Sequence, residues 1–105
     1  METLLDRAHL ARQTFGDADL AREVLGLFAE QCARLGPGIA DPALDGRARA
    51  DLAHTLKGSA LGVGAARVAG LAARIEEALR DGEAARADAL APALAAALRD
   101  TLALL

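Results

Sequence analysis

The sequence LAHTLKGSA at positions 52–60 decides how the chain folds. On an α-helix each residue advances by about 100°, which places Leu56, Ser59 and Val63 within about 40° of Leu52 around the axis. These residues are apolar or small, and a narrow stripe of such residues on a helix is typical of a face that packs against a core. The spacing therefore predicts a helix whose Leu52 side is buried.

The opposite side of this helix carries an unusual set of side chains. On the same wheel His54 lies at about 200°, Lys57 at about 140° and Gly58 at about 240°, so all three point away from the stripe. Lys57 is the only lysine in a chain that otherwise uses arginine. A glycine inside a helix costs about 1 kcal/mol relative to alanine. In so alanine-rich a sequence, Gly58 indicates that something large approaches His54 from that side.

Composition restricts the fold to helices. The chain has 105 residues, of which 53% are apolar and only 2% aromatic, and alanine and leucine dominate the apolar share. These two are strong helix formers, whereas the β-branched and aromatic residues that favour strands are scarce. A chain of this length forms one domain. We predict a single all-α domain over residues 1–105.

Several functional classes are disfavoured by charge and cysteine content. The net charge is −3 and basic residues form no block, so we expect no nucleic-acid partner. No apolar run approaches the roughly 18 residues of a membrane span, and the N-terminus lacks a basic signal-peptide start. The single cysteine, Cys32, excludes an intramolecular disulfide and is expected to be a small buried side chain. We expect a cytoplasmic protein without a cofactor.

Periodicity and turn residues predict five helices, and short links between the long ones favour an antiparallel up-down-up-down four-helix bundle with the short first helix across one end. Gly16 ends the first helix and Asp17 caps the second. The helices are predicted at about residues 3–14, 18–34, 47–63, 65–81 and 83–102.

Two places interrupt this helical pattern. The tripeptide Gly36-Pro37-Gly38 is expected to break or kink the second helix, and Pro92 to kink the fifth or begin a second segment within it. The resulting buried stripe of the second helix is predicted to comprise Leu20, Val24, Leu27, Phe28 and Leu35.

The exposed face around His54 suits phosphoryl transfer. An imidazole nitrogen can accept a phosphoryl group and give it up, the Lys57 ammonium can support the phosphoryl oxygens, and Gly58 leaves room for in-line approach. The chain has no Gly-rich phosphate-binding loop, so the group must come from and leave to another protein. A metal site is weakly supported, because Asp51 is the only co-ligand near His54. The second histidine, His9, is expected to lie on the surface.

The histidine stretch resembles a family signature. Residues 53–60, followed by Gly64-Ala65, are similar to the signature of histidine-containing phosphotransfer (HPt) domains of multistep phosphorelays. Phe28, Leu71 and Ile75-Glu76 fit the family pattern more loosely. The resemblance implies a four-helix bundle with an exposed phosphorylatable histidine. It also implies relay between a hybrid histidine kinase, or its receiver domain, and the receiver domain of a response regulator.

The resemblance assigns roles to individual residues. His54 would be the phosphoacceptor, Lys57 the charge that supports the phosphoryl group, and Gly58 the residue that allows access. The partner receiver would supply the aspartate and Mg²⁺, so the chain would have no cofactor or ATP-dependent kinase activity of its own. Some relatives place a polar residue that orients the histidine near the position of Glu76, although we expect a surface carboxylate there.

A partner surface is expected around His54 and on the adjacent part of the second helix. We predict that Leu61 and Ala50 form an apolar rim, with Arg47 and Asp51 as polar contacts at its edge. A modest mixed surface of this kind suits a transient encounter, and we expect the protein to be a monomer.

Two other functions remain open at this stage. A kinase-type dimerisation helix pair usually has an acidic residue directly after the histidine and a proline a few residues later. Here Thr55 follows the histidine and no proline occurs between Pro42 and Pro92. A non-catalytic four-helix adaptor with an idle histidine is the second alternative. A haem or metal bundle is disfavoured, since neither histidine has a suitable partner.

Overall fold

The computed structural model describes residues 2–105, and within this range the chain forms five α-helices and no β-strand. The all-α prediction is confirmed. No helix in the described range is long and apolar enough to cross a membrane. The helices are α1 (Arg7–Gln13), α2 (Ala18–Ala40), α3 (Gly46–Val63), α4 (Ala66–Arg80) and α5 (Ala84–Leu102).

The first helix is shorter than predicted at its N-terminus. A helix was expected over residues 3–14, but α1 begins only after Asp6. The preceding segment instead bonds to the turn between α3 and α4. The Asp6 N–H donates to the Gly64 carbonyl at 2.8 Å, and the Arg67 N–H donates to the Thr3 carbonyl at 3.0 Å. Backbone groups that pair across the fold are not available to an additional helical turn.

Prolines lie inside two helices without ending them. Pro37 and Pro92 are both exposed, and α2 and α5 each run past their proline as one helix. The predicted break at residues 36–38 is therefore wrong, and so is a second segment beginning at Pro92. On an exposed face, water can satisfy the carbonyl that loses its partner at a helical proline.

Of the two glycines beside Pro37, Gly38 has a packing role. A β-carbon at Gly38 would lie 2.6 Å from Leu52 Cδ1, and one at Gly36 would lie 3.5 Å from Leu98 Cδ1. The absence of a side chain at Gly38 leaves room for Leu52 of α3, whereas a β-carbon at Gly36 would make only an ordinary van der Waals contact with α5. Tertiary packing thus carries the helix through a tripeptide whose local propensity favours a break.

The buried face of α3 is rotated from the predicted stripe. Leu52 and Ser59 are only partly buried, whereas Ala50 is fully buried, so its predicted place on an exposed rim is wrong. Its methyl group stays close to the helix axis, and α3 packs most extensively against α4, whose facing residues include buried alanines. The buried residues of α3 are Arg49, Ala50, Ala53, Leu56, Ala60 and Val63.

A buried arginine joins three helices. The Arg49 side chain is 2% exposed; its Nε donates to the Ile39 carbonyl at 3.0 Å and its Nη2 to Asp88 Oδ1 at 2.8 Å. Arg49 therefore links the start of α3 to the end of α2 and the start of α5. A buried guanidinium is tolerated only when such partners replace its water.

Replacing Arg49 with alanine is expected to destabilise the fold by about 2–4 kcal/mol, because the Ile39 carbonyl and the Asp88 carboxylate both lose their donor. Urea unfolding followed by circular dichroism measures this change in the free energy of unfolding. Arg47→Ala, at an exposed position on the same helix, is the matched control and should change it by less than about 0.5 kcal/mol. Equal stability of the two variants would contradict a structural role for the Arg49 contacts.

Candidate functional site

His54 projects from the exposed face of α3. Its side chain is 62% exposed, on the side that the helical wheel predicts. Gly58 lies one turn further along the same face, and a β-carbon added there would meet nothing within 4 Å. The fold itself therefore does not require glycine at this position.

A carboxylate from α4 lies directly behind the imidazole. Oε2 of Glu76 is 3.1 Å from His54 Nδ1, and its Oε1 is 3.3 Å away. The Glu76 side chain is only 13% exposed, so the expectation of a surface carboxylate is wrong. The pairing joins positions on different helices, and it depends on how α4 packs beside α3.

Two cations share the same carboxylate. Lys57 Nζ donates to Glu76 Oε1 at 3.1 Å, and Arg80 Nε donates to Glu76 Oε2 at 3.0 Å. Arg80 also bonds through Nη2 to Asp51 Oδ1 at 3.1 Å, which links α3 and α4 beside the histidine. We call His54, Lys57, Glu76 and Arg80 the Glu76 cluster. Sequence reasoning missed Arg80, although its spacing of four residues from Glu76 is that of a helical ion pair.

Hydrogen bonds within the cluster keep Glu76 ionised. Burial raises the pKa of Glu76, but hydrogen bonds from Lys57, Arg80 and His54 outweigh it and hold that pKa below its ordinary value. Hydrogen bonds to Asp51 and Glu76 in turn raise the pKa of Arg80. Glu76 is thus an anion near neutral pH, positioned to accept a hydrogen bond from the Nδ1–H of the imidazole.

The lowered pKa of Glu76 predicts a pH-dependent contribution to stability. Its charged form is favoured in the folded state, so the contribution is complete above the unfolded-state pKa and is lost as the pH falls through the folded-state pKa. We expect Glu76→Gln to lower the free energy of unfolding by about 1–2 kcal/mol at pH 7, since its partners are partly solvated. The difference from the wild type should shrink on acidification below the ordinary glutamate pKa.

Urea unfolding at a series of pH values checks this prediction. Glu77→Gln is the matched control, because Glu77 is exposed and adjacent to Glu76 on the same helix. A Glu76→Gln difference that stays constant from pH 7 to pH 3 would show that the carboxylate charge does not stabilise the fold.

The predicted docking residues are only partly available to a partner. Arg47 is exposed and Leu61 is 56% exposed, whereas the Asp51 carboxylate is engaged by Arg80 and Ala50 is buried. These positions surround His54 on α3. Of the predicted docking residues on α3, only Leu61 therefore contributes exposed apolar surface.

The structure adds an apolar residue from α2. Leu27 was predicted to be in the core, but it is 60% exposed and lines a groove between α2 and α3 with Gln31 and Gly62. Leu27 and Phe28 are neighbours separated by about 100° around α2, so they face different directions. Phe28 takes the core position. This angular separation is the sequence signal that could have placed Leu27 outside.

Neither metal ligation nor thiol chemistry is supported by the described side chains. Across residues 2–105 no three His, Cys, Asp or Glu side chains converge as a metal-binding group. Cys32 is buried as predicted, and burial raises the pKa of its thiol to about 11. A buried neutral thiol is a poor nucleophile. His9 is half-buried rather than exposed, packed near Gly64.

Comparison with known proteins identifies the family. The family model described as Hpt domain matches residues 1–105. The chain belongs to the Hpt domain family. Hpt domains are phosphocarrier modules of two-component and multistep phosphorelays, and they interact with receiver domains and kinases. No curated protein and no solved structure gives a significant match to this Hpt domain.

Proposed function

We propose that this Hpt domain relays a phosphoryl group through His54, between a hybrid histidine kinase or its receiver domain and the receiver aspartate of a response regulator. The observation that carries the proposal is the exposed imidazole whose Nδ1 lies 3.1 Å from the buried end of a charged carboxylate, Glu76. A carboxylate bonded to one ring nitrogen fixes the orientation and the tautomer of the imidazole.

The Glu76 carboxylate selects the reactive ring nitrogen. It can only accept a hydrogen bond, so Nδ1 carries the proton and Nε2 holds the free lone pair. Nε2 attacks the phosphorus of a receiver's aspartyl phosphate; a P–N bond forms, and the P–O bond breaks as the aspartate leaves with its electron pair. The positive charge on the phosphorylated ring is balanced by Glu76. Transfer to a second receiver is the reverse of these bond changes.

Lys57 is suited to stabilise the transferred group. In the structure its ammonium bonds to Glu76 at 3.1 Å, but a lysine side chain is flexible and can turn to the phosphoryl oxygens. Arg80 then remains bonded to Glu76 and to Asp51 and keeps the Glu76 carboxylate in position. The phosphoryl group forms on Nε2, across the ring from Glu76, which limits repulsion between the two anions.

The arrangement of the helices fits the proposed bundle. Gln31 bonds to Ser59, and Gly38 lies against Leu52. Residue numbers therefore increase in opposite directions along α2 and α3, so these two helices are antiparallel. The Asp51–Arg80 and Lys57–Glu76 pairs show the same order between α3 and α4. We propose that the four long helices form the antiparallel up-down-up-down bundle of the family. Such a bundle holds His54 rigidly and open to solvent.

The partner completes the chemistry. We propose that the receiver domain brings both the aspartate and Mg²⁺, so that the Hpt domain acts as a monomeric phosphocarrier in the cytoplasm without a resident cofactor or kinase activity. Its docking face combines Leu61 and Gly58 on α3 with Leu27 on α2, and Arg47 lies at the edge. This face is mixed and modest in area, as transient interfaces are.

Phosphoryl exchange with a panel of phosphorylated receiver domains in the presence of Mg²⁺ tests the proposal. The expected product is an Hpt domain carrying an acid-labile, base-stable label, which is the behaviour of phosphohistidine. Measuring transfer in both directions for each receiver identifies the donor and the acceptor. Absence of label with every receiver of the source organism would overturn the proposal in favour of an adaptor.

A further inference from the structure

An open groove between α3 and α4 adjoins the Glu76 cluster. Lys57, a member of the cluster, and Leu61 form its α3 side, and Leu61 is 56% exposed. The groove has a volume of about 350 Å³. Its α4 side consists of small residues, which are Ala66, Ala69, Gly70 and Ala73. We call this feature the α3–α4 groove.

The α3–α4 groove continues the line of contact between His54 and Glu76, which meet across the two helices at 3.1 Å. Leu61 lies seven residues beyond His54 on α3. Ala69 lies seven residues before Glu76 on α4. Seven residues fall within about 20° of two full turns, so Leu61 and Ala69 lie on the same helix faces as the site residues. The groove opens because a methyl group stands here in place of a long carboxylate side chain.

The groove lies within the area that a docked receiver covers. Seven residues of helix extend about 10 Å from His54 to Leu61. A standard interface covers about 800 Å² on each partner, which corresponds to a disc of about 16 Å radius, and a weak one of about 600 Å² still has a radius of about 14 Å. A receiver centred on His54 therefore covers both Lys57 and Leu61.

Docking in the opposite direction along α3 gains less. There Arg80 donates to the exposed Asp51 carboxylate at 3.1 Å, and covering this pair removes water from two charges. Covering Leu61 instead removes apolar surface from water, which is favourable. Charged residues are also depleted from the centres of interfaces. The balance favours a receiver that extends from His54 toward Leu61.

The ends of the groove define the chemistry of its occupant. Lys57 lies at the end nearest His54, and Glu2 lines the far end. Arg67 holds Glu2 by donating from Nε to its carbonyl at 3.1 Å, and a β-carbon at Gly70 would lie 2.9 Å from Glu2 Oε1. Between these two opposite charges the groove presents methyl groups and the Leu61 side chain. It therefore fits an apolar side chain.

We propose that the receiver domain seats an apolar side chain in the α3–α4 groove against Leu61, and that the small residues of α4 limit which receivers fit. This inference rests on the proposed phosphotransfer function and adds α4 to the docking face. A rigid groove between two packed helices does not have to reorganise when it is filled, which lowers the cost of binding.

Ala73→Leu tests the proposal by filling the groove from α4, and leucine is a good helix former. The KM for a receiver that exchanges with the wild type should rise about five- to thirtyfold, with kcat nearly unchanged. Phosphorylation of His54 by the small-molecule donor phosphoramidate should not change, since no receiver takes part. Leu61→Ala should raise the KM in the same way, whereas Leu61→Met, which keeps the apolar surface, should stay near the wild type.

The outcomes distinguish this inference from the function on which it rests. Ala95→Leu is the matched control, because Ala95 is exposed on α5, which packs against α2 and α4, and its KM should equal that of the wild type. A wild-type KM for both Ala73→Leu and Leu61→Ala, with every receiver that exchanges, would overturn the groove proposal and leave the relay intact. A wild-type dimer that Ala73→Leu dissociates would assign the groove to a second copy and overturn it too. Failure of the wild type to exchange with any receiver would overturn both the inference and the relay.

Discussion

A His54→Gln variant should accept no phosphoryl group from any receiver domain that labels the wild type. Glutamine can occupy the same exposed position and can still donate a hydrogen bond to Glu76, but its amide nitrogen has no nucleophilic lone pair. The expected loss is complete rather than partial, because no other described side chain combines a nucleophilic nitrogen with exposure and a supporting cation. His54 is exposed and not part of the core, so the free energy of unfolding should change by less than about 1 kcal/mol.

The chain contains its own control for this experiment. His9 is the only other histidine, and it lies on α1, half-buried beside the turn that follows α3. His9→Gln should retain the acid-labile label, provided that circular dichroism shows a folded protein. Label that persists in His54→Gln and disappears in His9→Gln would show that His9, and not His54, is the phosphoacceptor.

The exposed side of the site could be predicted from sequence because it depends on one helix. The fixed angle between residues of α3 places His54 opposite Leu56, and the structure confirms both the exposed imidazole and the buried leucine. The same helical geometry places Gly58 on the exposed side, one turn from His54. Local periodicity is enough when the elements of a site lie within two turns of one helix.

The other half of the site could not be predicted in this way. Glu76 reaches His54, and Arg80 reaches Asp51, only because α4 packs beside α3, and no spacing within a single helix encodes these contacts. The same limit explains why Ala50 was wrongly placed on the surface. Its position on the wheel is close to that of Lys57, but a short methyl group is covered by the neighbouring helix while a long ammonium side chain extends past it.

The predictions of a break in α2 and of a buried Leu27 were wrong for a related reason. Gly36-Pro37-Gly38 has the composition of a break, yet α2 continues through it, and Gly38 lies where Leu52 of α3 leaves no room for a side chain. Leu27 has the composition of a core residue, yet Phe28 fills the core beside it. Except for proline, residues differ in helix propensity by about 1 kcal/mol or less. Tertiary contacts routinely contribute more than that.

Substitutions at Gly58 should have the second-largest effect on phosphoryl transfer. They should also change stability and transfer rate in opposite directions. A β-carbon at this position meets nothing within 4 Å, so Gly58→Ala should stabilise α3 by up to about 1 kcal/mol. Gly58→Gln should also fold, because glutamine is a good helix former. Its side chain would occupy the approach to His54 Nε2, however, and in-line transfer requires close contact of the reacting atoms.

We expect Gly58→Gln to slow phosphoryl transfer from receivers by at least about 100-fold, which corresponds to about 2.7 kcal/mol in activation free energy. Gly58→Ala should have a smaller effect in the same direction. Single-turnover transfer from a phosphorylated receiver measures the rate, and thermal unfolding measures the stability.

Gly26 provides the matched control for these substitutions. It also lies inside a long helix with no atom within 4 Å of an added β-carbon, and it lies about 200° around α2 from the groove residue Phe28. Gly26→Gln should therefore raise stability as Gly58→Gln does, while the transfer rate stays at the wild-type value. If Gly58→Gln transfers as fast as Gly26→Gln, the open space beside His54 is not an access route, and the partner must approach the imidazole from another side.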